Sequence, residues 1–264
     1  MYNKFVYVGS DEAKKSIIGL EYIIKYISNK NNILVIVDSH NEQKRDKTNI
    51  LKKILEKLII YFFNNYNIKT NYNSVKSLCE KEKINYLEVE DKTLYNSKNE
   101  IENFNPDYIL VNGWGWKIHK EVINLSKKAS LNCHSSYLPY YRGASVYFHV
   151  LMNKEKYTGI TVHKMTDKID EGNIIRQKKI YIDKKDTPNS LLEKLAKESG
   201  PLLIESIKAI ELGEEGFLPK EKGFYVEKIN LKKYVLNKLK NEIRVIFGLK
   251  PKKYNIKSKK KVLK

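Results

Sequence analysis

The chain has 264 residues, 41% of them hydrophobic, and a formal net charge of +19. This is enough for one α/β domain with an appendage, and two cysteines, Cys79 and Cys133, exclude a disulfide framework and fit a reducing, cytoplasmic setting. There is no apolar N-terminal signal, and the longest apolar run, Leu58 to Phe63, is too short to cross a bilayer. The positive charge points to anionic partners: nucleotide phosphates, nucleic acid or a membrane surface. A bias toward Lys, Asn, Ile and Tyr along the whole chain raises the charge without any ligand.

Phe5 to Gly9 reads as a buried strand, Lys14 to Ile27 as an amphipathic helix and Ile33 to Asp38 as a second apolar strand. That βαβ opening predicts a parallel sheet. Gly9-Ser10 is followed by Asp11-Glu12, and Gly113-Trp114-Gly115 by Trp116-Lys117. Neither is a G-x-G-x-x-G loop, which argues against a dinucleotide-dependent dehydrogenase. Thr48 to Asn65 predicts a helix that covers one sheet face or, as a second reading, forms a partner or homodimer surface. Ser74 to Lys83 predicts a short helix, Tyr86 to Val89 and Tyr108 to Val111 strands, Lys117 to Lys127 a helix, and Leu131 to His134 the central strand. Ile174 to Ile182 returns as a strand. Thr187 suits an N-cap and Pro188 the first position of a helix running to about Leu212. From 219 to 264 there are 16 Lys+Arg against 3 Asp+Glu. Leu231, Val235, Leu239, Ile243 and Ile246 lie at helical spacing there, and Lys250 to Lys264 reads as disordered. The expected architecture is α/β: a Rossmann-like, mostly parallel sheet with helices on both faces over 1–215, and a basic helical extension over 216–264.

The most informative stretch is Ser130 to Ile175. Asn132 and His134 stand two apart at the end of a strand, so their side chains share a face, while Cys133 turns into the core. Leu138-Pro139 and Arg142-Gly143 force a turn. Gly159 to His163 is another strand, and a loop carries Asp170-Glu171-Gly172. Asn, His and Asp can converge where open α/β sheets hold their sites, at the C-terminal edge. Each has a duller reading: a buried Asn satisfying loop backbone, a structural His. His149 and His163 read as structural, with His163 at the pocket edge. Arg142 either holds a phosphate or fixes its own loop. No His/Cys/carboxylate set has metal-ligand spacing.

N-x-H, L-P-x-Y-R-G, G-x-T-x-H and D-x-G-x-I, in that order over about 45 residues, resemble the folate-dependent formyltransferases. The likeness extends loosely over 75–210. It implies transfer of a formyl group from 10-formyltetrahydrofolate, without a metal, to an amine. Asn132 would donate to the oxygen that gains charge, His134 would donate or shuttle a proton, and Asp170 would set the His charge and accept or relay the amine proton. The pterin would lie against Asn112, Gly113, Trp114, Gly115 and Trp116 and against Thr166, Asp167, Ile169 and Asp170. Tyr141, Arg142 and Gly143 would face the acceptor.

Among members of that family, the methionyl-tRNA enzyme carries a C-terminal barrel, for which only about 45 residues follow Pro219. The glycinamide ribonucleotide enzyme needs a phosphate loop where this chain has Asp11-Glu12. A deformylase has an N-terminal regulatory domain. The resemblance is thus nearest to nucleotide-sugar N-formyltransferases, with a nucleotide-linked amino sugar as partner and nucleic acid not expected. Activities like those of the tRNA or ribonucleotide enzymes, or a non-catalytic folate-binding module, are the alternatives. The basic C-terminal helix either packs on the domain or lies on an anionic membrane, at the inner membrane face.

Overall fold

Strand Phe5–Gly9 (β1) is buried at every residue, because layers of side chains cover both of its faces. The computed structural model describes residues 3–38, 70–229 and 231–250. The helix expected over 48–65 and the expected tail beyond residue 250 lie outside the described residues. Ile33–Asp38 (β2), Tyr86–Val89 (β3), Tyr108–Val111 (β4) and Ala129–His134 (β5) run parallel to β1. Arg142–Gly143 (β6) is a two-residue strand outside this sheet, while Tyr157–Lys164 (β7) and Ile174–Tyr181 (β8) add to it antiparallel. The order is β3-β2-β1-β4-β5-β7-β8, so the middle position belongs to β4. The segment expected to be central, β5, lies one place further out and has an antiparallel neighbour.

Helices Lys14–Tyr26 (α1), Val75–Glu82 (α2) and Pro188–Glu211, the longest among the described residues, pack on one face against Tyr7, Leu110 and Leu131. Helices Lys98–Phe104 (α3) and Lys120–Ile123 (α4) pack on the other, against Val6, Val8 and Ile109. α4 is much shorter than the helix expected over 117–127. The Lys127 and Lys128 amides bond instead to the Pro106 and Asp107 carbonyls, which pulls the chain out of helix and into β5. Val146–Met152 (α5) precedes β7; Pro188–Glu211 is α6. Thr187 caps α6 as expected: its hydroxyl accepts from the Ser190 amide at 3.1 Å. Pro188 stands at the first helical position.

Asp11 does not project as an acidic obstacle to phosphate. It is 3% exposed, its carboxylate accepts the Lys76 amide at 2.8 Å and its carbonyl the Val75 amide at 2.9 Å, so it caps α2.

The basic extension begins as part of the fold. Tyr225–Val226 (β9) pairs with β6. Helix Leu231–Ile246 (α7) then divides the apolar stripe in two. Tyr234 and Val235 are buried with Phe148 and Ile229. Leu239, Ile243, Ile246 and Phe247 are 43%, 52%, 79% and 74% exposed. The helix therefore packs at its start and is bare further on. Among the described residues no helix is long and apolar enough to cross a membrane.

α1 and α6 approach closely because Gly200 leaves room: a Cβ there would sit 2.4 Å from the Tyr22 Cβ. Alanine would gain about 1 kcal/mol of helix propensity. Overpacking against a rigid Cβ costs about 1–3 kcal/mol. Gly200→Ala is expected to lower the urea midpoint, and an unchanged or raised midpoint would show that the helices part without cost.

Candidate active site

β4 and β5 pair only as far as Val111 and Asn132, whereas β5 and β7 continue to His134 and Thr161. The last two residues of β5 thus run past the end of β4. A cavity of about 410 Å³ opens there, lined by Asn132, His134, His163 and Asp170. Its size is that of a small-molecule site. Val111, Ile118, Ile123 and Met165 give it an apolar wall, and Lys14, Lys117, Lys168 and Lys228 line it beside Trp116 and Tyr225. The apolar wall offers a face for a flat ring.

Asp170 is the hub. It adopts φ +53, a left-handed conformation that Asp tolerates better than most residues. Its Oδ1 accepts from Asn132 Nδ2 at 3.1 Å and lies 3.3 Å from His163 Nε2. Its Oδ2 accepts the Gly143 amide at 2.8 Å and lies 3.5 Å from His134 Nδ1. Gly143 has φ +100, and a Cβ there would meet the Val226 carbonyl at 2.4 Å, so only glycine can aim this amide. His134 Nε2 lies 3.0 Å from the Tyr141 carbonyl, which can only accept. This assigns the proton of neutral His134 to Nε2 and the lone pair to Nδ1. By the same logic His163 Nδ1 donates to the Lys164 carbonyl at 2.9 Å and turns Nε2 toward Asn132 Nδ2, 3.2 Å away.

The charges follow from burial and neighbours. Burial pushes the His134 pKa below its ordinary value, and the Asp170 charge offsets this only in part. Burial alone would raise the Asp170 carboxyl. The neighbouring His134 and His163 rings and the Gly143 amide outweigh it and hold the group well below the usual carboxylate range. The resting pair is therefore a neutral imidazole beside a carboxylate.

The structure brings Asn132, His134 and Asp170 together as expected, and Cys133 lies in the core. Gly113, Trp114, Gly115, Trp116, Thr166, Ile169 and Gly143 line the cavity. Asn112 is wholly buried behind it, its amide donating to the Lys15 carbonyl and the Tyr7 hydroxyl, both at 3.1 Å. Asp167 turns outward to Lys120, 3.5 Å away. Of the two readings of Arg142, the structure shows loop fixation, through an ion pair with Glu171 next to Asp170. Tyr141 supports His134 through its carbonyl while its hydroxyl donates to Glu155 at 2.6 Å. Sequence reasoning left His163 at the edge, but it contacts both Asn132 and Asp170. Its antiparallel register opposite Asn132 was the missing information. Lys15 was not singled out, yet it lines the cavity at 5% exposure.

Residues 25–207 match the family model described as formyl transferase. The methionyl-tRNA formyltransferase of Halothermothrix orenii is 33% identical over 148 residues, 56% of this chain and 46% of that protein. The bifunctional polymyxin resistance protein ArnA of Wigglesworthia glossinidia brevipalpis is 32% identical over 193 residues, 73% of this chain and 26% of that protein. The chain thus spans less than half the length of either relative. An N-formyltransferase from Helicobacter canadensis, solved with folinic acid and dTDP-3-aminofucose, superposes with TM-score 0.60 at 21% identity, over 86% of this chain and 72% of that chain. The phosphoribosylglycinamide formyltransferase from Anaplasma phagocytophilum superposes with TM-score 0.59 at 14% identity, over 87% of this chain and all of that one. These solved structures share the fold.

The His134 environment gives folding a pH dependence of fixed sign. Unfolded His134 takes up its proton near pH ~6.5 and folded His134 only at lower pH. Between the two the unfolded chain holds more protons, so stability rises with pH. Asp170 acts in the same direction lower down: its stabilisation is complete above the unfolded carboxyl pKa of ~3.9 and is lost as pH falls below it. Urea midpoints are expected to climb with pH from below about pH 4 up to about pH 6.5, and His134→Gln to flatten the part just below about pH 6.5. An equal climb in that variant would assign the effect elsewhere.

Proposed function

Because the chain belongs to the formyl transferase family, we propose that it transfers a formyl group from 10-formyltetrahydrofolate to an amine at the Asn132–His134–Asp170 cavity. The observation that carries this reading is the convergence of an amide, a neutral imidazole and a depressed carboxylate on one cavity of suitable size. The folate supplies the electrophilic formyl carbon. Its ring would be held by the apolar wall and by the Gly113–Trp116 and Thr166–Asp170 segments.

The chain's own residues then move a proton and stabilise charge. His134 Nδ1 carries the lone pair, accepts the proton that the attacking amine releases, and returns it to the folate nitrogen as the bond from that nitrogen to the formyl carbon breaks. Asp170, beside it, stabilises the imidazolium so formed, and the Tyr141 carbonyl fixes the ring. Both amide hydrogens of Asn132 have partners, Asp170 and His163. Donation to the formyl oxygen exchanges one of these for the developing oxyanion, where a donor is worth ~10²–10³ in rate.

For the acceptor, the basic and aromatic cavity rim supports a nucleotide-linked amino sugar, with lysines for phosphates and Trp116 or Tyr225 for a ring. The Helicobacter structure with its dTDP-amino sugar supports the same class. Methionyl-tRNA is the second reading, favoured by the 33% identity to the Halothermothrix methionyl-tRNA formyltransferase and by the net charge of +19. The bare half of α7, with Lys240 and Arg244 beside Leu239, Ile243 and Phe247, supports peripheral contact with an anionic membrane surface.

Asn132→Ala, His134→Ala and Asp170→Ala are each expected to lower turnover at least about a hundredfold with the fold retained. Near wild-type turnover in His134→Ala would remove the mechanism. A rising limb near neutrality should report the acceptor amine, with the His134 limb at lower pH. Mass spectrometry of amino-sugar nucleotides and of methionyl-tRNA, each incubated with donor, decides the acceptor. Sedimentation with anionic liposomes should show salt-sensitive binding that Ile243→Glu with Phe247→Glu abolishes, at ~1 kcal/mol per basic residue near the surface. Equal binding by that variant would sink the membrane contact.

A further inference from the structure

Lys15 is a buried cation that the mechanism above does not use. It stands in the first turn of α1, 5% exposed, and its Nζ donates to the Cys133 carbonyl. That carbonyl belongs to the peptide joining Cys133 to His134, between the two site residues of β5. Its need for a donor follows from the sheet. The Ser130 carbonyl faces β7, where it accepts the Met165 amide. Carbonyls alternate along a strand, so the Cys133 carbonyl faces the β4 side. There the pairing has already ended at Val111 and Asn132. The Lys15 ammonium replaces the missing ladder donor. Its own backbone is anchored in turn: the Lys15 carbonyl accepts from Asn112 Nδ2 at 3.1 Å, and Ser16 Oγ donates to the Asn112 carbonyl at 2.7 Å. Among the described residues no carboxylate forms an ion pair with Lys15, so its charge acts on the cavity it lines.

We propose that Lys15 is a positioning residue of this site: its ammonium clamps the peptide between Asn132 and His134 and sets a fixed positive charge beside the His134–Asp170 pair. The proposal rests on the formyl-transfer reading for its kinetic consequence only. A cation near His134 disfavours a second positive charge there, and one near Asp170 favours the carboxylate. The groups facing His134 are Asp170 from its loop, His163 from β7, Lys15 from α1 and the Tyr141 carbonyl before β6. Burial lowers the Lys15 pKa, and the Asp170 charge opposes this.

The test is histidine side-chain NMR on the full chain across pH. Lys15→Met is expected to raise the His134 midpoint by at least about half a unit while leaving His149 in place. It is also expected to lower kcat at least about tenfold with acceptor KM within about twofold, as loss of positioning does. Lys15→Gln, which keeps a donor without charge, should show the midpoint shift with a smaller loss of kcat. An unmoved His134 midpoint in either folded variant overturns the proposal. In the unaltered protein, the clamped ammonium should give a solvent-shielded Nζ–H signal at neutral pH, and its absence would also overturn it. Loss of all formyl transfer by the unaltered protein, with the His134 shift intact, would instead overturn the reading of the reaction and leave the clamp standing.

Discussion

The structure depends on one buried carboxylate. Asp170 is only 6% exposed at its side chain, and an ion taken out of water costs several kcal/mol unless its partners replace that water. Those partners come from three separate strands: Asn132 and His134 from β5, His163 from β7 and the Gly143 amide from β6. The chain cannot close around Asp170 without bringing the three strands to one point. The same closure places an ionised carboxylate beside a neutral imidazole, a division that environment rather than residue type decides. Arg142 strengthens the arrangement from outside by pairing with Glu171, so the loop that presents Asp170 is also held at the next residue.

A second buried network stands behind the first. The Asn112 amide reaches the Tyr7 hydroxyl, the Lys15 carbonyl and Ser199 Oγ, at 3.1, 3.1 and 3.2 Å, and the Tyr7 hydroxyl donates to the Ser16 carbonyl at 2.7 Å. These bonds join the start of α1, the end of β4 and the middle of α6. Buried polar groups in such a network are costly to leave unpaired, so the network permits few alternatives. It fixes the point from which the Gly113–Trp116 segment departs, and thus the cavity wall.

Much of this was legible in the chain. The strands β1 to β4 and the start of α6 follow from apolar runs and from Thr187-Pro188, signals carried by adjacent residues. The Asn132–His134 face follows from a two-residue period, and the loop with Asp170 from its glycine. Information set by contact between distant segments was hidden. The role of His163 depends on its register opposite Asn132, and Asp11 becomes a helix cap only once α2 arrives beside it. The helix expected over 117–127 ends at Ile123, and the Lys127 and Lys128 amides bond to the Pro106 and Asp107 carbonyls, which pattern alone does not show. The stripe of α7 was visible, but the division between its packed and bare halves is set by Phe148, some ninety residues earlier.

The candidate site lies where the sheet runs out of partners. Along a strand every amide and carbonyl finds a mate, and nothing there is left to act on a ligand. Where β4 stops short of β5, backbone groups lose their ladder and side chains must replace it: Lys15 for the Cys133 carbonyl, the His134 ring for the Tyr141 carbonyl just beyond the turn. Polar side chains are drawn to this edge for structural reasons, and their remaining donors and lone pairs face the cavity. On this view the requirement to satisfy backbone at a ragged sheet edge and the requirement to place an amide, an imidazole and a carboxylate together are met by the same residues. A substitution at any of them would therefore weaken local support at the sheet edge, without unfolding the chain, and the proposed reaction together.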